Sequence, residues 1–158
     1  MGRLVRYLSH PQVIIDPDKD VRNWSLSPQG AARVRALAGA RALSQTRAVI
    51  SSAEVKALET ARPLATALSL TVQVRERMHE NDRSATRFLP PAEFEAVADL
   101  FFASPTTSIR GWETAADAQT RIVEEVRNAL NATPDGDQRI AAPKTGLAKL
   151  APRQTAAT

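Results

Sequence analysis

Few residues in this chain have side chains suited to chemistry, and their positions matter more than their number. There are two histidines, His10 and His79, and no cysteine in 158 residues. Thiolate nucleophiles and disulfides are therefore excluded. Two histidines without cysteine make no spaced ligand cluster, so no metal site is expected. His10 closes the stretch Arg3-Leu-Val-Arg-Tyr-Leu-Ser-His10 and is followed by Pro11-Gln12. Leu4 to Leu8 reads as a buried strand, and Pro11 cannot continue an interior strand. His10 is thus placed where strand gives way to loop, and the carboxyl ends of strands are where open α/β sheets bind ligands. A histidine there can be a base, a metal ligand or a nucleophile. Taken alone, it is more often a polar loop residue.

The elements around it follow an alternating order. Asp16 to Asp20 reads as loop. Ser27 is an N-cap with Pro28 at the first helical position, and Val34, Leu37 and Ala38 give the helix its apolar face. Arg47 to Ile50 reads as a second strand, ending in Ser51-Ser52. A second helix carries Val55, Leu58, Ala61, Ala65 and Leu68, with Pro63 predicting a kink or restart. Leu70 to Val74 reads as a third strand, and His79 to Arg83 as a polar loop. After Pro90-Pro91, a helix places Phe94, Val97, Ala98, Phe101 and Phe102 on one stripe, which reads as core. Thr114 and Asp117 resemble a capping box ahead of a helix with Ala118, Ile122, Val126 and Leu130. Thr133 to Asp137 is a turn, and Gln138 to Ala142 is a candidate fourth strand. The order predicts an α/β fold of three layers, α/β/α, around a mainly parallel sheet.

Charge argues against nucleic acid as the main partner. The formal net charge is +4, but through Asp137 the chain has 17 basic and 17 acidic residues. The excess is Arg139, Lys144, Lys149 and Arg153, and no acid follows Asp137. Four charges without interleaved aromatics make a poor nucleic-acid surface. No glycine-rich phosphate loop is present, which argues against a nucleotide kinase. No signal peptide or membrane-length apolar run is visible, so the expectation is a cytoplasmic protein with no membrane partner.

Four pieces in this order resemble the histidine phosphatase superfamily, the phosphoglycerate-mutase-like proteins. The strand ending in His10 is similar to the family's strand ending in Arg-His-Gly-Glu. Trp24-Ser-Leu-Ser-Pro-Gln-Gly30 is similar to Trp-x-Leu-Thr-x-x-Gly. Ser51-Ser-Ala-Glu-Val-Lys-Ala-Leu-Glu-Thr-Ala61 is similar to Ser-Ser-x-x-x-Arg-Ala-x-x-Thr-Ala. His79-Glu80 is similar to the family's Leu-Arg-Glu or Leu-x-Glu, and Gly111-Trp-Glu-Thr114 to its Gly-Glu-Ser. The resemblance implies phosphoryl transfer through phosphohistidine, with His10 as nucleophile and Glu80 as proton donor. It implies Lys56 as a phosphate ligand, with Arg83 as a candidate replacement for a missing arginine, and Ser52 or Gln12 as hydrogen-bond donors. No cofactor is implied, and the substrate is a phosphorylated small molecule or a phosphoprotein.

The chain also departs from the family. Ser9 and Pro11 stand where the family has the Arg and Gly of Arg-His-Gly, and Lys56 is a point charge without the fork of arginine. The family's second histidine, after its fourth strand, has no counterpart: residues 139–146 read Arg-Ile-Ala-Ala-Pro-Lys-Thr-Gly. The family's last helix and strand are not found either. The expected organisation is therefore an incomplete phosphatase-like domain over residues 1–137 and a basic, disordered tail over 138–158. Loss of acids and of apolar periodicity from about Gln138 suggests an out-of-frame reading of a GC-rich gene. Two functions are expected to compete: a phosphomonoester hydrolase, and an inactive phosphate-binding remnant. A shortened sheet also predicts self-association through its edge.

Overall fold

The computed structural model describes residues 5–132 and the backbone of 137–142. Four strands form one sheet: β1 (Val5–Ser9), β2 (Thr46–Ser51), β3 (Val72–Val74) and β4 (Asp137–Ala142). Their order is β1-β4-β2-β3, and every pairing is parallel. Parallel neighbours require crossovers, which four helices supply: α1 (Pro28–Ala38), α2 (Val55–Ala67), α3 (Pro91–Ala103) and α4 (Ala115–Ala132).

Alternation on β2 separates the two helical layers. Val49 packs with Ala61 and Ala65 of α2, while the next residue, Ile50, packs with Met78 and with Val126 and Ala129 of α4. Leu26, Val34, Leu43 and Leu64 join α1 to α2 on the first face. The expected three-layer α/β fold with a parallel sheet is what forms. The phenylalanine stripe of α3 is indeed core, but of a satellite cluster: Val97 and Phe101 close on Trp112 and Ala115, flanked by Phe94 and Phe102.

Local signals operate largely as the residues predict. Ser27 caps α1, its hydroxyl accepting from the Gly30 amide at 3.1 Å. Thr114 accepts from the Asp117 amide at 3.1 Å. Asp117, shorter than glutamate, binds the Thr114 hydroxyl at 2.7 Å, so this half of the box closes between side chains. Of the kink or restart expected at Pro63, the restart does not occur: α2 runs through it, because Ala61, Leu64 and Ala65 are buried on both sides and their packing outweighs one missing bond.

The fourth strand extends the sheet beyond the boundary expected at residue 137. Backbone 137–142 lies between β1 and β2, with Tyr7 and Ile50 both in register with Ile140. Residues 143–158, where most of the expected tail and out-of-frame segment falls, lie outside the described residues. Among the described residues no helix is long and apolar enough to cross a membrane.

Candidate active site

Because all strands are parallel, their carboxyl ends gather at one edge, and the chemistry-bearing residues lie just past them. His10 follows β1 directly. Its Nδ1 is 2.7 Å from the Pro11 carbonyl, which can only accept, so Nδ1 carries a proton and Nε2 is the nitrogen turned toward Glu80. Nε2 lies 4.0 Å from Glu80 Oε1, and both side chains are about nine-tenths buried, at 11% and 8% exposure.

The loop after His10 is stitched to the Trp24–Gly30 segment. The Gln12 carbonyl accepts from the Ser27 amide at 2.8 Å. Trp24 donates its indole N–H to the Asp16 carbonyl at 2.9 Å. A Cβ on Gly30 would sit 2.2 Å from the Gln12 carbonyl oxygen, so only glycine lets α1 approach this closely.

The β2–α2 junction supplies Ser52, Glu54 and Lys56. Lys56, in the first turn of α2, is buried, and its Nζ donates to Glu80 Oε2 at 3.1 Å and to the Val21 carbonyl at 3.4 Å. The same Nζ stands 3.7 Å from Glu54 Oε1. Glu54 accepts at Oε2 from the Ser52 hydroxyl at 3.1 Å and from the Glu80 amide at 3.2 Å. Burial, then the Glu80 charge, pushes the Glu54 carboxyl above its ordinary range, against Lys56, the Glu80 amide and Ser52.

Glu80 is held by its main chain. Arg121 of α4 donates to the carbonyls of Arg77 at 2.6 Å, His79 at 3.0 Å and Glu80 at 3.2 Å. Its remaining N–H groups grip Glu113 as a fork at 2.9 and 2.7 Å. Glu113 also accepts from the Asp82 amide at 3.0 Å. Burial raises the Glu113 carboxyl, but the Arg121 and Asp82 bonds outweigh it and hold the group below its ordinary range. Arg83 Nη2 reaches Glu80 Oε2 at 3.4 Å, and its guanidinium lies 4.8 Å from the centre of the Phe94 ring.

Of the residues singled out from sequence, His10, Glu80, Lys56 and Arg83 come together. Ser52 touches Glu54 instead, and Gln12 is exposed, its contacts with α1 being main-chain. His79 sits beside Glu80, its Nδ1 on the Glu80 carbonyl at 2.6 Å. Glu54 and Arg121 had no distinguishing signal: Glu54 occupies a variable place in the Ser-Ser-x-x-x-Arg-like run, and Arg121 sits among other charged residues of α4. Among the described residues no group of acids and histidines could hold a metal ion.

Chemically, the arrangement sets an imidazole against a carboxyl, with two cations at the carboxyl. The 4.0 Å between His10 and Glu80 leaves no space for a phosphorus atom and its oxygens.

Comparisons with known proteins place the fold. Solved structures with the same fold include a mycobacterial glucosyl-3-phosphoglycerate phosphatase, 21% identical, TM-score 0.74, the match covering 87% of this chain and 72% of that one. They include YhfR of Bacillus stearothermophilus, 17% identical, TM-score 0.66, with 90% and 74% covered. A third is the α-ribazole phosphatase of Shigella flexneri, 12% identical, TM-score 0.61, with 88% and 73% covered. Among curated proteins no sequence matches. The family model described as "Histidine phosphatase superfamily (branch 1)" matches residues 14–142, a span that begins just after His10 and contains Lys56, Glu80, Arg83 and Arg121. With most of its length matched, this chain belongs to the histidine phosphatase superfamily.

Proposed function

We propose that the chain hydrolyses phosphomonoesters through a phosphohistidine at His10. The observation that carries the proposal is the His10–Glu80 pair: Nε2 lies 4.0 Å from a buried carboxyl that Lys56 and Arg83 flank. Nε2 attacks phosphorus, the bond to the ester oxygen breaks, and Glu80 gives that oxygen its proton. Water then attacks phosphorus, Glu80 takes the water's proton, and the bond to His10 breaks. Lys56 and Arg83 neutralise the equatorial oxygens, where most of the catalytic work of phosphoryl transfer lies. Ser52 and Gln12 are the proposed neutral donors. The substrate is a phosphorylated small molecule or a phosphoprotein, and a cytoplasmic setting belongs to the same proposal.

A second reading is an inactive phosphate-binding protein. It is favoured by Lys56, whose charge is already matched by Glu80 at 3.1 Å and Glu54 at 3.7 Å, and by the lack of any histidine after His79. The test is hydrolysis of p-nitrophenyl phosphate by the full chain beside His10→Ala and Glu80→Gln. Turnover lost in both variants supports hydrolysis. Equal background rates in all three, with saturable binding of inorganic phosphate, support the second reading.

A further inference from the structure

Arg83 is tied at both ends to the aromatic cluster of α3. Its guanidinium lies over the Phe94 ring, 4.8 Å from the ring centre. Its carbonyl accepts from the Thr86 amide at 3.2 Å. The Thr86 hydroxyl in turn accepts from the Trp112 indole N–H at 2.8 Å. Trp112 is buried and packs on Phe94, with ring centres 5.9 Å apart. The circuit through Thr86, Trp112 and Phe94 therefore closes on the guanidinium it started from. An arginine that merely covers an apolar cluster lays its methylenes on it and keeps its head in water. Arg83 does not: its side chain is 17% exposed, and its head faces Glu80.

The manner of holding matters for an anion site. A ring face attracts the cation through its quadrupole and takes up none of the N–H donors, which lie in the guanidinium plane. A carboxylate in the same place would occupy those donors and neutralise the charge. Lys56 shows the contrast, its ammonium flanked by Glu80 at 3.1 Å and Glu54 at 3.7 Å. On Arg83, Nη2 reaches Glu80 at 3.4 Å, and Nε has no hydrogen-bond partner. Of the two cations at Glu80, Arg83 is the one with a donor to give.

We propose that Phe94 is a positioning residue for Arg83, holding the guanidinium by its face so that its edge meets the phosphate oxygens. The inference rests on the hydrolase reading and adds α3 to the elements that build that site.

The test measures the affinity of the full chain for inorganic phosphate by calorimetry, alongside hydrolysis of p-nitrophenyl phosphate. Two changes are made at position 94: Phe94→Leu, and replacement of Phe94 with pentafluorophenylalanine. Each is also made in an Arg83→Met background. The fluorinated ring keeps its shape and loses its negative face, so it tests the contact in a cluster that still packs. Either change is expected to weaken phosphate binding about fivefold when Arg83 is present, and by less than about twofold when it is not. Affinity unaltered by the fluorinated ring overturns the proposal, and that result decides even if Phe94→Leu does not fold. Equal weakening in the Arg83→Met background also overturns it, because Phe94 then acts through packing and not through Arg83. Turnover that needs His10, with affinity indifferent to the ring, removes the positioning role and keeps the activity. Ring-dependent affinity in a chain without turnover keeps the positioning role and removes the activity. A wild-type chain that binds no phosphate overturns both.

Discussion

Arg121 Nη2 lies 3.2 Å from the carbonyl oxygen of Glu80, so α4 grips Glu80 by its backbone while its carboxyl faces His10. Every N–H of the Arg121 guanidinium is used, two of them on Glu113 and three on the carbonyls of Arg77, His79 and Glu80. Lysine retains the charge but cannot reproduce the fork. Arg121→Lys should lower stability by about 1.5–3 kcal/mol in urea unfolding. It should also reduce turnover by loosening Glu80.

Lys56 holds two buried carboxylates together. Removing its ammonium leaves Glu80 and Glu54 facing each other with only Arg83, at Glu80, to compensate. Lys56→Met, close in shape and uncharged, should cost about 3–5 kcal/mol in chemical denaturation at neutral pH. The double variant Lys56→Met/Glu54→Gln should recover part of that loss.

Gly30 permits contact between α1 and the loop after His10. Alanine is the better helix former by about 1 kcal/mol, yet its Cβ would overlap the Gln12 carbonyl oxygen. Gly30→Ala should therefore be destabilising by about 1–3 kcal/mol, read as a lower Tm, the reverse of what helix propensity predicts.

Two carboxyls should move stability with pH in opposite directions. Glu54 has a folded pKa above its unfolded value, so its ionisation opposes folding: the penalty is absent below the unfolded pKa and complete above the folded one. Glu113 has a folded pKa below its unfolded value, so its contribution is present above the unfolded pKa and lost as pH falls through the folded one. In urea unfolding from about pH 3 to about pH 8, Glu54→Gln should gain on the wild type as pH rises. Glu113→Gln should lose ground over the same range.

What the sequence discloses is what local chemistry decides. The Ser27 cap, the Thr114–Asp117 turn and the α4 stripe depend on neighbours within a turn or two, and all are readable. The gathering of His10, Lys56, Glu80 and Arg83 is also readable, because each sits in a short motif near a strand end. Burial of Glu54 and the reach of Arg121 depend on which elements pack together, which no local spacing encodes. The insertion of β4 between β1 and β2 is a pairing across most of the chain, set by the sheet as a whole. Continuation of α2 through Pro63 shows the same thing in reverse: packing of Ala61, Leu64 and Ala65 overrides a strong local signal.

The central claim is that His10 carries the phosphoryl group, and rapid quenching tests it most directly. The full chain is mixed with a phosphate-labelled aryl ester and stopped in alkali within the first turnovers. The account predicts label on the protein that is stable to alkali, labile to acid and absent from His10→Ala. Label that persists in His10→Ala, or turnover in the wild type with no labelled protein at any time, would contradict it.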